Sequence, residues 1–360
     1  MNKNNYVAIM AGGIGSRFWP MSRTGFPKQF LDILNTGKTL IQQTFDRYCK
    51  LVPKENIYII TSAEYIPIVK KQLPQVAVEN ILGEPSRKNT APCVAYISFK
   101  LLQKNPEAVL VAAPADHLVL DMEEFIRTSK KAIGFVNHIN AFVTLGIKPN
   151  HPNTGYGYIQ YESAIAAPDI YKVKTFTEKP NLELAKTFLA SGDFLWNAGI
   201  FIWKVKNIIT AFEKHLPEMY EVFVAEKEKF NTPDEEEAIE QIYPQCTNIS
   251  IDTGIMEKAE NVYVIPSDFG WSDLGTWNSA WDNMERDYLG NAVAGKNVMI
   301  IDSTKCMVHA PDNKMLLLQG LDDFIVVDTK DVLLICKKEK EQEIKEYVSE
   351  IKRNKGDRYL

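Results

Sequence analysis

The chain has 360 residues, 45% hydrophobic and 24% charged, with 41 Lys and Arg against 46 Asp and Glu for a formal net charge of −5. That composition can bury a large core in two domains, and it offers no general basic field for nucleic acid or an anionic membrane surface. Five scattered cysteines without a CxxC pair argue against a disulfide framework and a zinc site, and with no signal peptide or membrane-length apolar run a soluble cytoplasmic protein is expected.

The apolar run from Tyr6 to Met10 predicts a buried first strand. It leads into Ala11-Gly-Gly-Ile-Gly-Ser-Arg-Phe-Trp-Pro-Met-Ser-Arg-Thr-Gly-Phe-Pro-Lys-Gln-Phe30. Gly12, Gly13 and Gly15 allow a sharp turn whose N–H groups approach a ligand closely, and Arg17, Arg23 and Lys28 add cations, a combination that suits a polyphosphate. No Gly-Lys-Ser/Thr follows, so this is not a P-loop. Phe18 and Pro20 stand where a dinucleotide fingerprint needs a third Gly and a helix.

Thr39 to Leu51 has helical spacing and ends at Pro53; Asn56 to Ile60 reads as a strand, followed by a helix closed by Pro74. Val76 to Leu82 is a third strand. The polar loop from Gly83 to Pro92 opens a helix that runs to about Leu102. Ala108 to Ala113 is an uninterrupted apolar run, as in a central parallel strand, and it delivers Pro114-Ala-Asp-His117. A helix over 121–137 and a strand from Ala141 to Ile147 complete an alternation that predicts a doubly wound α/β sheet, with ligands at the carboxyl ends of its strands. Strand-like segments at 154–160, 171–177 and 198–203 suggest an insert over one end of the sheet. Helices follow from 204 to 242, among which Asp234-Glu-Glu-Glu237 reads as a solvated helix start. Val262 to Ile265 leads into Pro266-Ser-Asp-Phe-Gly-Trp-Ser-Asp-Leu-Gly-Thr-Trp277. Beyond residue 288 come short β-like runs at 298–301, 315–318, 324–327 and 332–335, then a Lys/Glu-rich terminal helix from Lys337. The expected division is 1–288 and 289–360.

The string from Ala11 to Phe30 resembles the signature of the sugar-nucleotide pyrophosphorylases, and its Trp19-Pro-Met-Ser-Arg23 and Pro27-Lys-Gln-Phe30 portions are similar to the mannose-1-phosphate guanylyltransferase branch. The resemblance implies a Rossmann-like nucleotidyltransferase fold (GT-A-like), a mixed α/β sheet followed by a small C-terminal β domain, often a short left-handed β-helix. No hexapeptide repeat is visible here. It also implies Mg²⁺-dependent, in-line transfer of GMP from GTP to mannose 1-phosphate, giving GDP-mannose and pyrophosphate. At 360 residues the chain is expected to lack the isomerase domain fused to longer relatives, and with it that second activity. A homodimer through or near the C-terminal domain is expected, with no nucleic-acid or membrane partner.

By the same resemblance, Asp116 and Asp273 are the two carboxylates that hold Mg²⁺, an ion that takes hard oxygen ligands from one or two carboxylates and the substrate phosphates. Ala11, Gly12, Gly13, Gly15, Ser16, Arg17 and Lys28 cradle the nucleotide phosphates, with Arg17 and Lys28 neutralising charge in catalysis. Glu84, Pro85, Asn89 and Thr90 belong to the nucleotide loop, where Glu84 can accept from guanine N1–H and N2–H₂ together. Lys88 stands where the family carries Arg and lacks its planar fork; whether Arg87 substitutes is open. Glu178 and Lys179 of Phe-Thr-Glu-Lys-Pro, Asn197 and Gly199 of Asn-Ala-Gly, and Gly146, Gly155 and Tyr158 line the sugar-phosphate side. His117 and Asp268 are assigned to packing and a turn. Read without the resemblance, Asp116 caps a helix and Glu178–Lys179 is ordinary surface. A different hexose 1-phosphate or NTP, a non-catalytic regulatory paralogue and a dinucleotide oxidoreductase are the alternatives.

Overall fold

A computed structural model describes residues 2–360, and these fall into two compact units. The first contains residues up to Gly12, Phe45–Ala115 and Val119–Trp271; the second contains Gly13–Thr44, Asp116–Leu118 and Ser272–Leu360.

The first unit is built on one nine-stranded mixed sheet. Its strands in chain order are β1 (Asn5–Ala11), β2 (Ile57–Ser62), β3 (Ile81–Glu84), β4 (Val109–Pro114), β6 (Phe142–Ile147), β7 (Tyr158–Ala167), β8 (Ile170–Thr177), β9 (Phe194–Lys204) and β10 (Val262–Ser267), with β5 (Leu118–Val119) outside it. The order across the sheet is β3-β2-β1-β4-β9-β6-β10-β8-β7. β1 runs parallel to both β2 and β4, in a register that pairs Met10 with Pro114. β1 and β4 are apolar along nearly their whole length because helices cover both faces, which explains their unbroken hydrophobic runs.

Two sequence expectations change here. The segments at 154–160, 171–177 and 198–203 are not a separate insert: β9 lies antiparallel between β4 and β6, and β7 and β8 extend the same sheet. Alternation identifies a strand but does not name its neighbour. The strand expected from Val76 begins only at Ile81, because Val78–Asn80 is a 3₁₀ turn. Asn80 Nδ2 donates to the carbonyls of Glu55 and Ile57 at 2.9 and 3.1 Å, a side-chain bond that competes with strand pairing.

The helices up to residue 242 are, in chain order, α1 (Leu40–Tyr48), α2 (Ile66–Gln72), α3 (Thr90–Lys104), α4 (Met122–His138), α5 (Leu182–Ser191), α6 (Val205–His215), α7 (Pro217–Ala225) and α8 (Glu235–Ile242). On one face of the sheet, α3, α6 and α7 bring Phe99, Phe212 and Phe223 into one core with Trp203 of β9, and α8 adds Ile239 and Ile242. Phe99 stacks on Phe223 with centroids 5.3 Å apart. Asp234 does open α8, as the acidic run suggests, but Glu235 turns inward. It accepts from Tyr96 Oη at 2.6 Å and pairs with Lys100.

The second unit collects the loop after Gly12 and everything from Ser272 onward. Parallel rungs pair Ala292 with Met307 and Met307 with Ile325, while Val298 pairs with Leu316, a coil rising every 15 to 18 residues. This rung length, not a hexapeptide, is the repeat. Phe18, Trp19, Leu31, Ile33 and Leu40 share one core with Trp277, Met307, Ile325, Val327 and Ile344. Met299, Ile301, Met315 and Leu317 of the coil are exposed. All five cysteines are free, and no helix among the described residues is long and apolar enough to cross a membrane.

Candidate functional site

In the second unit the glycine loop positions one lysine. Gly15 has φ +69°, and a Cβ there would lie 2.3 Å from Lys28 Cβ, so only glycine lets the two backbones approach. Lys28 N donates to Ile14 O at 3.1 Å and Ser22 Oγ donates to Gly15 O at 2.6 Å, which close the loop on itself. Lys28 is only 4% exposed. Its Nζ lies 3.0 Å from Asp116 Oδ2 and donates to the Asp273 carbonyl at 2.6 Å. One buried ammonium therefore touches both aspartates singled out in the sequence.

Burial works against the charge of the Asp116 carboxyl, but the Lys28 ammonium, His117 and the Lys28 hydrogen bond outweigh it and hold the group below its ordinary range. His117 Nε2 is 4.0 Å from Asp116 Oδ1, a neighbour as expected. Asp273 Oδ1 accepts from Gly275 N at 2.9 Å. Arg17 Nε is buried and has no hydrogen-bond partner among the described residues, while the guanidinium charge reaches the partly buried Glu341 carboxylate. Around the Cβ direction of Gly13 there is open space. Arg23 does not serve this cluster: it forks onto Asp331 at 2.8 and 3.3 Å and donates to Pro20 O at 2.7 Å. Asp116 and Asp273 are hard-oxygen donors in one unit, a set that suits Mg²⁺, which takes few protein ligands and leaves room for phosphate oxygens. Among the described residues no group of three or more His, Cys, Asp or Glu could hold a metal.

The nucleotide loop lies in the first unit with Ala11 and Gly12. Glu84 ends β3, is 7% exposed, and accepts from Tyr243 Oη at 2.9 Å. Its Oε2 lies 3.9 Å from the position of a Cβ on Gly12. Burial raises the Glu84 carboxyl to about 7, with the Tyr243 hydrogen bond pulling weakly the other way. Asn89 has φ +67° and caps α3 by accepting from Thr90 N; Thr90 Oγ1 in turn accepts from Ile251 N at 2.9 Å. These two shape the loop, and Pro85 stands exposed beside them. Arg87 pairs with Glu64 at 2.8 Å and donates to Tyr65 Oη, so its fork is already engaged.

The third group is also in the first unit. Glu178 and Lys179 form an ion pair at the end of β8, with Lys179 at φ +27°. A Cβ on Gly157 would lie 3.3 Å from Glu178 Oε2 and 3.7 Å from Asn197 Cβ, so the glycine leaves space between those two side chains. Asn197 Oδ1 accepts from Gly199 N at 3.0 Å, and Nδ2 donates to Asp252 Oδ1 at 2.7 Å. Gly199, at φ +66°, makes that turn possible. Burial, reinforced by Glu178 and Glu257, raises the Asp252 carboxyl to about 6 against the Asn197 bond. Tyr158 is fully buried and donates to Asn153 O at 2.9 Å, and Gly155 N donates to Asn153 Oδ1 at 2.7 Å, so both hold the 153–158 loop. Gly146 has a packing reason: a Cβ would sit 2.6 Å from Leu195. Trp203 and Trp277 are core, while Tyr156 meets Trp196 and Trp271 edge-on at 5.0 and 5.1 Å.

Sequence reasoning missed Tyr243 and Asp252. Tyr243 looks like any aromatic closing an amphipathic helix. Asp252 carries one faint signal, a lone acid in the otherwise neutral run Ile249-Ser-Ile-Asp-Thr-Gly-Ile-Met256.

A family model described as nucleotidyl transferase matches residues 6–288, and one described as MannoseP isomerase/GMP-like beta-helix domain matches residues 296–351. The chain is 36% identical to a mannose-1-phosphate guanylyltransferase of Salmonella montevideo over 352 residues, covering 96% of this chain and 73% of that protein. It is 36% identical to the alginate biosynthesis protein AlgA of Pseudomonas syringae pv. tomato over 346 residues, 95% of this chain and 70% of the other. A crystal structure from Thermus thermophilus, described as a mannose-1-phosphate geranyltransferase, superposes with a TM-score of 0.87 at 30% identity, covering 97% of this chain and 99% of that one.

Proposed function

Since the chain belongs to the nucleotidyl transferase family, in its mannose-1-phosphate guanylyltransferase branch, we propose that it joins GTP and mannose 1-phosphate to give GDP-mannose and pyrophosphate. The observation that carries this reading is the buried Lys28, in contact with both Asp116 and Asp273. In-line attack by the sugar-phosphate oxygen on the α-phosphorus needs no side-chain nucleophile, so this chain positions its reactants and neutralises charge. Lys28 and Arg17 act on the triphosphate, with the amides of Gly12, Gly13, Gly15 and Ser16 and the turn begun at Ala11. The orphaned Arg17 Nε supports an anion there. Glu84 receives the guanine donors, with Pro85, Asn89 and Thr90 shaping its loop. Glu178 accepts from hexose hydroxyls, Lys179 faces the 1-phosphate, and Asn197 and Gly199 complete that side with Gly146, Gly155 and Tyr158 behind them.

Asp116 and Asp273 would hold Mg²⁺, which when bound neutralises phosphate charge in the transition state. We assign residues 1–288 to nucleotidyl transfer and 289–360 to a C-terminal β domain, a division supported by the two family models. The exposed Met299, Ile301, Met315 and Leu317 favour a homodimer through that domain, with Leu317→Lys expected to lower the mass seen by light scattering. Free cysteines suit a reducing cytoplasm. The deciding assay is pyrophosphate release from each NTP with a panel of sugar 1-phosphates. GTP with mannose 1-phosphate is expected to give the highest kcat/KM, and preference for another NTP or hexose would replace the reading.

A further inference from the structure

Asn197 is assigned to the sugar side, yet an amide can present either a donor or an acceptor to a hydroxyl. Here its hydrogen bonds fix which. Its oxygen faces inward: Gly199 N donates to it at 3.0 Å, and Thr144 Oγ1 lies 3.4 Å away. Its nitrogen donates one hydrogen to Asp252 Oδ1 at 2.7 Å. Both ends agree on the orientation, since a backbone N–H needs the oxygen and a carboxylate needs the NH₂. Among the described residues, the second N–H is left without a partner. Asp252 lies in the turn Asp252–Met256, 55 residues further along the chain, and is partly exposed. Gly157 keeps open the space between Asn197 and Glu178, where a Cβ would stand 3.3 Å from Glu178 Oε2.

We propose that Asp252 is a positioning residue of the sugar subsite, locking the Asn197 amide as a hydrogen-bond donor to a hexose hydroxyl beside the accepting Glu178 carboxylate. The proposal rests on the reading that Asn197 and Glu178 hold the sugar phosphate. A donor and an acceptor across the Gly157 gap fit two neighbouring hydroxyls of one ring, which can donate to one group while accepting from the other. The charged and titratable groups facing Asp252 are Glu178 and Glu257, with Lys179 paired to Glu178.

Steady-state kinetics on the full chain separate this role from a structural one. Asp252→Leu is expected to raise KM for the sugar 1-phosphate ~10-fold or more at saturating GTP, with KM for GTP within about twofold. Asp252→Asn keeps an oxygen that can accept the same bond, and is expected to recover most of the loss at pH 8. The KM ratio of wild type to Asp252→Asn cancels the ionisation of the substrate phosphate. It should shift toward unity as pH falls below about 6, where the wild-type carboxylate takes up its proton. The side-chain amide resonance of Asn197 should titrate over the same range in the wild type and stay flat in Asp252→Asn. Equal changes in both KM values, or an unchanged sugar KM in Asp252→Leu while Glu178→Gln raises it, overturn the proposal and leave the sugar-site reading intact. An unchanged sugar KM in Asp252→Leu and Glu178→Gln alike overturns the reading itself.

Discussion

Asp116 and Glu84 are both acids at or just beyond the carboxyl end of a strand, and both lose water on folding, yet their carboxyls move in opposite directions. Asp116 follows β4 and meets an ammonium at 3.0 Å. Glu84 ends β3 and meets a neutral phenol at 2.9 Å. Burial penalises both charges, and the neighbour decides the outcome. The Asp116 cluster keeps its carboxylate charged and ready for a second cation. The Glu84 pocket leaves its acid short of donors, which the N1–H and N2–H₂ of guanine would supply.

The largest break in this comparison removes the charge from the first cluster. Asp116→Asn, or Asp273→Asn, is expected to lower kcat by ~10³-fold or more, with an unchanged circular dichroism spectrum. Wild-type pyrophosphate release in either variant would take that residue out of the metal site. Removing the neighbour comes next. Lys28→Met strands a partly buried carboxylate and should cost about 3 kcal/mol in denaturant unfolding, while adding Asp116→Asn should restore much of it. The pair stabilises above the usual carboxylate range and is lost as pH falls through the lowered carboxyl of Asp116. The Lys28→Met penalty should therefore shrink in acid.

Glu84→Gln sharpens the other half. The folded chain keeps a proton on Glu84 up to about pH 7 that the unfolded chain releases near 4.5, so this group's contribution to stability falls between those values. Glutamine removes that loss, and the variant should be more stable by up to ~3 kcal/mol at pH 8 and no more stable at pH 4. The same change sets an NH₂ against the guanine donors and should narrow the GTP to UTP ratio in kcat/KM by about tenfold. An unmoved ratio places base recognition elsewhere. The smallest effect belongs to Arg23→Ala. Its pair with Asp331 is only partly covered on the carboxylate side, so about 1 kcal/mol or less should be lost, mostly at low salt, with kcat intact.

Local signals read well from the chain. The apolar runs of β1 and β4, the Asp234 helix start and the glycine turn at Gly15 each follow from a few adjacent residues. What the sequence did not reveal depends on distant partners. Arg23 looks like one more phosphate-binding cation until Asp331, 308 residues away, takes up its guanidinium. Tyr243 and Asp252 touch Glu84 and Asn197 across separations of 159 and 55 residues, and no periodicity reports such a pairing. The packing of the 13–44 loop with residues 272–360 is likewise invisible to any local pattern.

That last packing has a consequence for biosynthesis. Trp19 Nε1 donates to the carbonyl of Tyr359 at 2.8 Å, and Phe18 meets Trp277 edge-on at 4.9 Å. Residues that leave the ribosome first wait for partners made as many as 340 residues later. The β1–β4 part of the sheet can assemble during synthesis, whereas the glycine loop gains its neighbours only once residues 272–360 have been made. A nascent chain arrested short of residue 272 should therefore be protease-resistant in its early strands and cleavable within 13–44.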